Sequence, residues 1–298
     1  EARNANLAQV PKDYEWILWL DSDDTIDHPK KIKEVCELSD RYDSVYVDYV
    51  YDKDEAGNPL TVHMVARMFK NNNSHQWKGR IHETLIETRS ATQGMTNDFK
   101  VIHHADDART ERSFERNIKM LEMQLEDEAK DPDPRTFYYL GGTYMDAGML
   151  EDAKQLFNSY LSLSGWDQQR CPAELKLGRI FSQEGDRTAA KQHFMLSMGE
   201  DPDNPEPRVE LGSLEIEAQQ LRKAQVWLES VLKMDASKTT LERNPMSYTF
   251  RTYLLLAQCY LEMGGKWLKE AAKYAAKARK FKKNDPQVVE FTTMIEQV

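Results

Sequence analysis

The sequence has few cysteines, no long apolar run and no excess of positive charge. Its three cysteines, Cys36, Cys171 and Cys259, lie far apart and form no CxxC pair, which argues against a disulfide framework or a cysteine-based zinc site. No stretch approaches the roughly 18 apolar residues of a membrane helix, and no signal-peptide pattern is present. The net charge of −10 argues against non-specific nucleic-acid binding as the main activity. We therefore expect a cytoplasmic protein with reduced thiols and no transmembrane segment.

The chain contains enough apolar residues for about two folded domains. It has 298 residues, of which 40% are hydrophobic and 30% charged, the balance of an ordinary soluble protein. The first hundred residues mix short apolar strands with turns, whereas helical periodicity prevails after about residue 110. We predict an α/β domain at residues 1–110, a connecting helix at 111–134 and an all-α region at 135–298.

The N-terminal part shows the pattern of a strand, a helix and a hairpin. The continuous apolar run Trp16–Leu20 predicts a central strand that is buried on both faces. An amphipathic helix is predicted for residues 28–42. Residues 44–51 are rich in β-branched and aromatic side chains and predict a second strand. A turn at 54–59 then leads into a returning strand at 60–69.

The C-terminal part repeats a helical pattern. Leu177-Gly178 and Ala190 recur as Leu211-Gly212 and Ala224, each 34 residues later. Less regular copies carry the marker residues Phe137, Leu140, Gly141, Tyr144, Ala153 and Phe157 before them and Leu256, Ala257, Tyr260 and Pro286 after them. Small residues allow two helices to approach closely, and this period is typical of tetratricopeptide repeats. The alternative is an unrelated helical bundle. The repeats predict a concave interaction surface but do not identify its ligand.

Three aspartates follow the first predicted strand closely. Asp21 and Asp23 would lie on one side of the strand if it continued, because side chains alternate. In open α/β sheets, ligands bind beyond the carboxyl ends of the strands. Two close carboxylates resist ionising together unless a cation lies between them, and Mg²⁺ or Mn²⁺ prefers oxygen ligands and substrate phosphates. The cluster predicts a metal–diphosphate site; the alternative is a solvated turn, or a helix cap formed by Asp24 or Asp27.

Further polar residues favour the metal-site hypothesis. Residues 67–85 bring Trp77, His82 and Glu83 together in a segment with little core character. Two adjacent histidines occur in residues 100–107, after a strand-like segment. A histidine in such a position is either a metal ligand or a structural residue.

The motifs, taken in order, resemble the family 2 glycosyltransferases of the GT-A fold, specifically bacterial and phage members with C-terminal tetratricopeptide repeats. The segments that carry the resemblance are ARN (2–4), WILWLDSDD (16–24), RMFKN (67–71), WKGRIHE (77–83), VIHH (101–104) and ERNIKMLE (115–122). The resemblance implies a partial GT-A-like α/β sheet domain followed by a tetratricopeptide-repeat α-solenoid. Family members carry further strands before the ARN segment, so we expect the chain to be a fragment whose own activity is in doubt.

The resemblance also implies an activity and a metal site. The activity would be metal-dependent transfer of a sugar from a nucleotide sugar, most readily a UDP-sugar, to a hydroxyl or thiol acceptor with inversion. Asp21-Ser22-Asp23 resembles the family's DxD motif, in which Asp23 would hold Mn²⁺ or Mg²⁺ against the diphosphate. Asp21 would contact the ribose or the metal, and the role of Asp24 stays open. His103 is the candidate for a further metal ligand, with His104 as the alternative.

The remaining roles follow from the same resemblance. Glu83 is the candidate general base, with His82 beside it in the catalytic stretch. Arg3 would contact the nucleotide. Trp77 and Arg67 are candidates for contact with the sugar or acceptor, although Trp77 could equally be a core anchor.

A second hypothesis assigns the chain to another functional class. It would be an adaptor whose repeats bind a partner protein or self-associate, with a catalytically inactive α/β part.

The expected partners differ between the two hypotheses. If the chain is a glycosyltransferase, its partners are a nucleotide sugar and a protein, peptide or glycan acceptor. Residues 266–283 carry eight basic side chains against one acidic, which predicts a solvated helix face or a docking surface for an acidic partner or membrane.

Overall fold

A computed structural model describes residues 2–104, 111–163, 167–235, 238 and 242–297. The chain divides into two compact units. We call residues 1–52 and 62–160 the sheet unit, and residues 53–61 and 161–298 the helical unit. The domain boundaries predicted at residues 110 and 134 stay a prediction. Within the described residues no helix is long and apolar enough to cross a membrane.

The sheet unit is built on a five-stranded mixed sheet. Its strands follow the order β1-β4-β3-β7-β2, in which β3 and β7 are parallel and both edge pairs are antiparallel. Strands β5 and β6 form a separate antiparallel pair. The elements are α1 (Ala2–Ala8), β1 (Trp16–Leu18), β2 (Asp24–Ile26), a 3-10 turn (Pro29–Lys31), α2 (Ile32–Leu38), β3 (Ser44–Lys53), β4 (Pro59–Lys70), β5 (His75–Lys78), β6 (Thr84–Glu87) and β7 (Gln93–His103).

The predicted second strand and hairpin are confirmed. β3 lies in the middle of the sheet, where Val45 and Val47 are buried against Met68, Phe99 and Val101. Burying these apolar side chains gives the sheet its main stabilisation. The hairpin turn that follows is closed by the backbone and the carboxylate of its first residue. The predicted helix at 28–42 is shorter than expected, because only residues 29–38 are helical.

The prediction of a central strand at Trp16–Leu20 is wrong. β1 lies at an edge of the described sheet, and all three of its residues are half-buried. The regular strand stops at Leu18, and Trp19 turns its indole to donate a hydrogen bond to the carbonyl of Ala66 at 2.7 Å. Leu20 is exposed. The apolar run therefore consists of a short edge strand followed by Trp19, whose side chain contacts the backbone of β4.

Three further helices begin in the sheet unit: α3 (Glu111–Asp127), α4 (Pro134–Asp146) and α5 (Leu150–Leu163). The predicted connecting helix therefore ends before residue 134. α4 begins at Pro134, which needs no N–H partner at this position, and the Asp133 carboxylate caps it by accepting a hydrogen bond from the Arg135 amide. Gln124 of α3 donates a hydrogen bond to Thr136 of α4 at 2.9 Å, which joins the two helices.

The helical unit consists mainly of helix pairs. Its elements are α6 (Asp167–Gln183), α7 (Arg187–Glu200), α8 (Glu206–Glu217), α9 (Leu221–Val231), α10 (Pro245–Tyr248), α11 (Phe250–Met263), a 3-10 turn (Gly265–Trp267), α12 (Leu268–Arg279) and α13 (Pro286–Glu296). Among the described residues, α6 packs extensively against α7, α8 against α9 and α11 against α12. The repeat predicted from the sequence is thus a repeat of paired helices.

Glycine explains how closely these pairs pack. A methyl group on Gly178 would lie 2.4 Å from the ring of Phe194, and one on Gly212 would lie 2.6 Å from Leu228. Each glycine precedes its contact by 16 residues, so the same crossing recurs in successive pairs. The second helix of each of these two pairs carries a fully buried small residue, Ala190 on α7 and Ala224 on α9; Ala153 on α5 is fully buried as well.

Candidate functional site

The acidic segment after β1 forms a turn and does not continue the strand. The Asp24 amide donates to the carbonyl of Asp21 at 3.1 Å, and the Asp21 amide donates to the Asp24 carboxylate at 3.0 Å. The prediction that strand alternation places Asp21 and Asp23 on one side is therefore wrong, since the strand has already ended. The turn leads directly into β2, which begins at Asp24.

The helix-cap alternative is also wrong. The next helical turn begins at Pro29, and the residue before it makes no capping hydrogen bond with its side chain. The Asp27 carboxylate instead accepts a hydrogen bond from the Lys100 amide at 2.6 Å, which ties β2 to β7. Neither this carboxylate nor that of Asp24 caps a helix in the described part of the chain.

Asp24 is the buried centre of the site. Its side chain has no exposed surface. One carboxylate oxygen lies 3.0 Å from the guanidinium of Arg67, while the other accepts a hydrogen bond from the Tyr49 hydroxyl and lies 3.2 Å from Nδ1 of His103. A buried carboxylate needs such compensation, because removing it from water is costly.

Arg67 supports the cluster from the interior. Its side chain is 1% exposed, and its guanidinium lies between the rings of Trp19 and Tyr49, at 3.8 and 4.0 Å from their centroids. Burial lowers the pKa of Arg67, against the opposing effect of the Asp24 charge, and burial also raises the pKa of Tyr49. Arg67 is a predicted contact of sugar or acceptor; the structure places it beneath the acidic turn.

Asp23, Asp24 and His103 form a group suited to a divalent cation. One ligand atom from each lies within 4.8 Å of the others. Asp24 and His103 come together because they are directly paired in the β2–β7 register, although they lie 79 residues apart in the sequence. Two carboxylate oxygens and an imidazole nitrogen suit Mn²⁺ among the divalent ions that bind phosphates. The group contains the predicted Asp23 and His103, but has Asp24 where the sequence suggested Asp21.

The neighbouring histidine points elsewhere. His104 makes a hydrogen bond with the hydroxyl of Thr25, at 2.7 Å from its Nε2, and it is not part of the group of potential ligands. Among the alternatives left open by the sequence, the geometry favours His103.

Asp21, Arg3 and Glu83 form a second cluster beside this group. Arg3 lies 2.6 Å from Asp21 and 3.5 Å from Glu83, and all three side chains are partly exposed. The guanidinium of Arg3 also lies 4.9 Å from the ring centroids of both Trp19 and Trp77. Three residues predicted from separate motifs thus meet at one place, where Glu83 faces a cation.

Trp77 and His82 flank the second cluster differently. The Asn4 side chain exchanges two hydrogen bonds of 2.8 Å with the backbone of Trp77, and the Trp77 ring meets Trp19 edge to face at 4.6 Å. His82 has a positive φ of 50°, and its ring stacks on Tyr139 at 4.3 Å. The ring of His82 is thereby committed to an aromatic contact on α4.

The sequence alone does not indicate the central roles of Asp24 and Tyr49. Asp24 has the same chemical character as its neighbours in the segment, so composition could not single it out. Tyr49 lies in a strand whose pattern indicates only burial. The signal that could have identified both is the pairing of strands β2, β3 and β7, which the sequence does not specify directly.

Comparisons with known proteins concern the repeats. Residues 175–204 match the tetratricopeptide repeat family. The chain is similar to the solved structure of MamA, with 20% identity, 60% of this chain and 96% of that chain covered, and a TM-score of 0.46. It is also similar to YrrB, a tetratricopeptide-repeat protein with an unusual peptide-binding site, with 14% identity over 61% of this chain and 84% of that chain and a TM-score of 0.45. A chain of the Cut9–Hcn1 hetero-tetramer of APC/C is similar with 15% identity over 62% of this chain and 33% of that chain, at a TM-score of 0.50.

These similarities concern the fold alone. The family match and the Cut9–Hcn1 similarity agree with the paired helices of the helical unit, which has a solenoid fold like that of tetratricopeptide repeats. No curated protein matches the chain significantly. These matches do not support a GT-A domain, so the resemblance to glycosyltransferases stays a hypothesis.

Proposed function

We propose that the chain is a tetratricopeptide-repeat protein whose helical unit binds a segment of a partner protein. The observation that carries the proposal is a regular array of close-packed helix pairs that leaves apolar side chains exposed between them. Met195, Leu196 and Val226 are 50%, 45% and 67% exposed. Arrays of this kind present extended surfaces for binding, and exposed apolar groups are the part of such a surface that gains most from a partner.

Ion pairs join successive helix pairs of the array to one another. Arg179 of α6 contacts Glu206 and Glu210 of α8 at 2.7 and 2.8 Å. Glu210 also holds Arg251 of α11 through two hydrogen bonds of 2.8 and 2.6 Å. The link therefore crosses three successive pairs. A rigid surface loses less conformational entropy when it binds, which favours recognition by the helical unit.

Selection from a random peptide library tests the proposal. Phage that display random dodecapeptides would be selected on the immobilised full chain, and enriched peptides would be measured in solution by fluorescence anisotropy. We expect several related peptides with micromolar or better affinity. Failure to enrich any peptide that binds in solution would contradict an interaction role for the helical unit.

We propose as a second function that the sheet unit holds a divalent cation and transfers a sugar from a nucleotide sugar. The specific observation in favour is the group Asp23, Asp24 and His103, in which buried Asp24 is oriented by Arg67. A bound cation would supply positive charge to the departing diphosphate. Asp23 and His103 would hold it at the surface, Arg3 would contact the nucleotide, and Glu83 would accept the acceptor's proton.

Calorimetry separates this second function from a structural cluster. The full chain would be titrated with MnCl₂ and then with UDP-, GDP- and TDP-sugars, alongside the variant Asp23→Asn and the control Asp13→Asn. Asp13 is exposed and lies outside the cluster. We expect Mn²⁺ binding that only Asp23→Asn weakens, and Mn²⁺-dependent binding of one nucleotide sugar. Absence of Mn²⁺ binding would refute the cation site; Mn²⁺ binding without any nucleotide sugar would refute the transferase role.

A further inference from the structure

A groove follows α7 and α8 of the helical unit and reaches α9 at one end. It consists of two adjoining pockets with volumes of about 660 and 460 Å³, which share Lys191 and Met195 of α7. Leu211 and Leu214 of α8 lie on the inner side of the groove, and both are buried. Val226 belongs to the opposite wall, on α9. The groove therefore has an apolar interior formed by three successive helices.

Exposed apolar side chains mark this groove as a binding surface. Met195, Leu196 and Val226 belong to its walls, and each exposes about half of its surface or more. These three side chains on α7 and α9 are open to solvent. They lie close enough along the groove for one bound segment to cover all of them. Contiguous apolar surface of this kind typically marks a site of association.

The charges around the groove are predominantly positive. Four basic residues line it, and the single acidic lining residue is Glu215, which is buried and paired with Lys191 at 2.7 Å. Arg187 lies 3.3 Å from exposed Glu217. Lys223 and Arg222 have no ion pair among the described residues of the helical unit. A chain with a net charge of −10 thus carries a locally basic, apolar groove.

The groove is fixed in shape by the packing beneath it. The Lys191–Glu215 ion pair connects α7 with α8, and the close approach of Gly212 to Leu228 connects α8 with α9. A bound segment therefore meets a surface that is already formed, which reduces the entropy lost on binding.

We propose that this groove binds an acidic amphipathic segment of a partner protein. The inference rests on the proposed interaction role of the helical unit and assigns that role a place and a ligand chemistry. Apolar side chains of the segment would cover Met195 and Val226, as in other helix-in-groove complexes. Its carboxylates would face Lys223 and Arg222, where opposite charges favour encounter and fix orientation.

Peptides enriched from the dodecapeptide library provide the test. Their sequences would be compared with the unselected library, and their affinity measured for the full chain and for the variants Val226→Asp and Lys223→Glu. The matched controls are Val289→Asp and Lys269→Glu, which make the same changes at exposed positions on α13 and α12. Circular dichroism would verify that each variant keeps its helical content, as expected for exposed positions.

We expect enriched peptides to combine apolar residues with aspartate or glutamate. Each groove variant should weaken their binding about tenfold or more, and each control should change it less than about twofold. Binding should also weaken as salt concentration rises, because the facing charges are exposed. Enrichment of neutral or basic peptides, or equal binding to the groove variants and controls, would overturn the groove assignment alone. If no peptide binds at all, the interaction role itself fails.

Discussion

The guanidinium of Arg67 lies 3.0 Å from the carboxylate of Asp24, and both side chains are buried. The aromatic rings of Trp19 and Tyr49 enclose the cation, so neither charge can turn to water if the other is removed. This pair fixes the turn that presents Asp23 and Asp24 beside His103. Its integrity therefore determines both the stability of the sheet unit and the geometry of the candidate cation site.

Replacing Arg67 should destabilise the sheet unit strongly. We predict that Arg67→Met lowers the free energy of unfolding by about 3–5 kcal/mol, since it leaves Asp24 buried without its partner. Native-state hydrogen exchange of the β3 and β4 amides, followed as urea increases, would measure this loss. The control Arg89→Met should cost less than about 1 kcal/mol, because Arg89 is exposed and lies 4.0 Å from Asp43. Equal losses in both variants would contradict the assigned role of Arg67.

A glycine-to-alanine comparison tests the repeat packing. Alanine favours helix by about 1 kcal/mol over glycine, yet the added methyl group at Gly178 would lie 2.4 Å from Phe194. We predict that Gly178→Ala destabilises the helical unit by about 1–3 kcal/mol through overpacking. The control Gly199→Ala meets open space and should be neutral or stabilising. Thermal unfolding recorded by circular dichroism would show whether the two variants shift in opposite directions; a stabilising Gly178→Ala would refute the crossing.

Glu210 should make the helical unit sensitive to acid. Burial alone would raise the pKa of Glu210, but Arg179 and Arg251 outweigh it and lower the pKa to about 2. The pKa of Glu210 is lower in the folded state than in the unfolded state, where it is about 4.3. The ionised Glu210 therefore stabilises the folded helical unit fully at pH values above the unfolded pKa. This stabilisation is lost as pH falls towards the folded pKa, and it amounts to about 3 kcal/mol.

The measurement is urea unfolding of the wild type and Glu210→Gln between neutral and acid pH, with helicity as the signal. The variant should be less stable at neutral pH, and the difference should shrink progressively below about pH 5. A difference that stays constant with pH would show that the Glu210 charge does not stabilise the fold.

Adjacent histidines offer a matched test of the cation site. We predict that His103→Ala lowers Mn²⁺ affinity at least about tenfold, because it removes one of three candidate ligands. His104→Ala should leave affinity within about twofold, since His104 contacts Thr25 and lies outside the ligand group. Calorimetric titration of both variants with MnCl₂ would decide. A larger effect at His104 would reverse the assignment made from the geometry.

Features set by local sequence spacing could be predicted. Gly178 and Gly212 indicate their helix crossings directly, because close packing demands a small side chain at a fixed interval. The β3–β4 hairpin likewise follows from a polar turn between two apolar runs. In both cases the contacting residues lie close together in the sequence, so their pattern carries the necessary information.

The candidate site could be predicted only in part, because it depends on pairing between distant segments. Asp24 meets His103 through the β2–β7 register, and a one-residue shift in register would turn their side chains to opposite faces. The burial of Arg67 could not be predicted for a related reason. A charged residue in a strand is expected to be exposed unless an acidic partner lies beside it, and the partner Asp24 comes from a distant segment. The acidic cluster and the histidine pair were noted for their chemistry, and the resemblance to the glycosyltransferase family then selected Asp23 and His103; neither step depends on register.

Hydrogen–deuterium exchange of the full chain, with and without a bound library-derived peptide, would show which unit binds a partner. We predict that the peptide slows exchange in the helical unit, most strongly in α7 and α9, while exchange in the sheet unit is unchanged. Protection confined to the sheet unit would contradict the claim that the helical unit is the part of the chain that binds a partner.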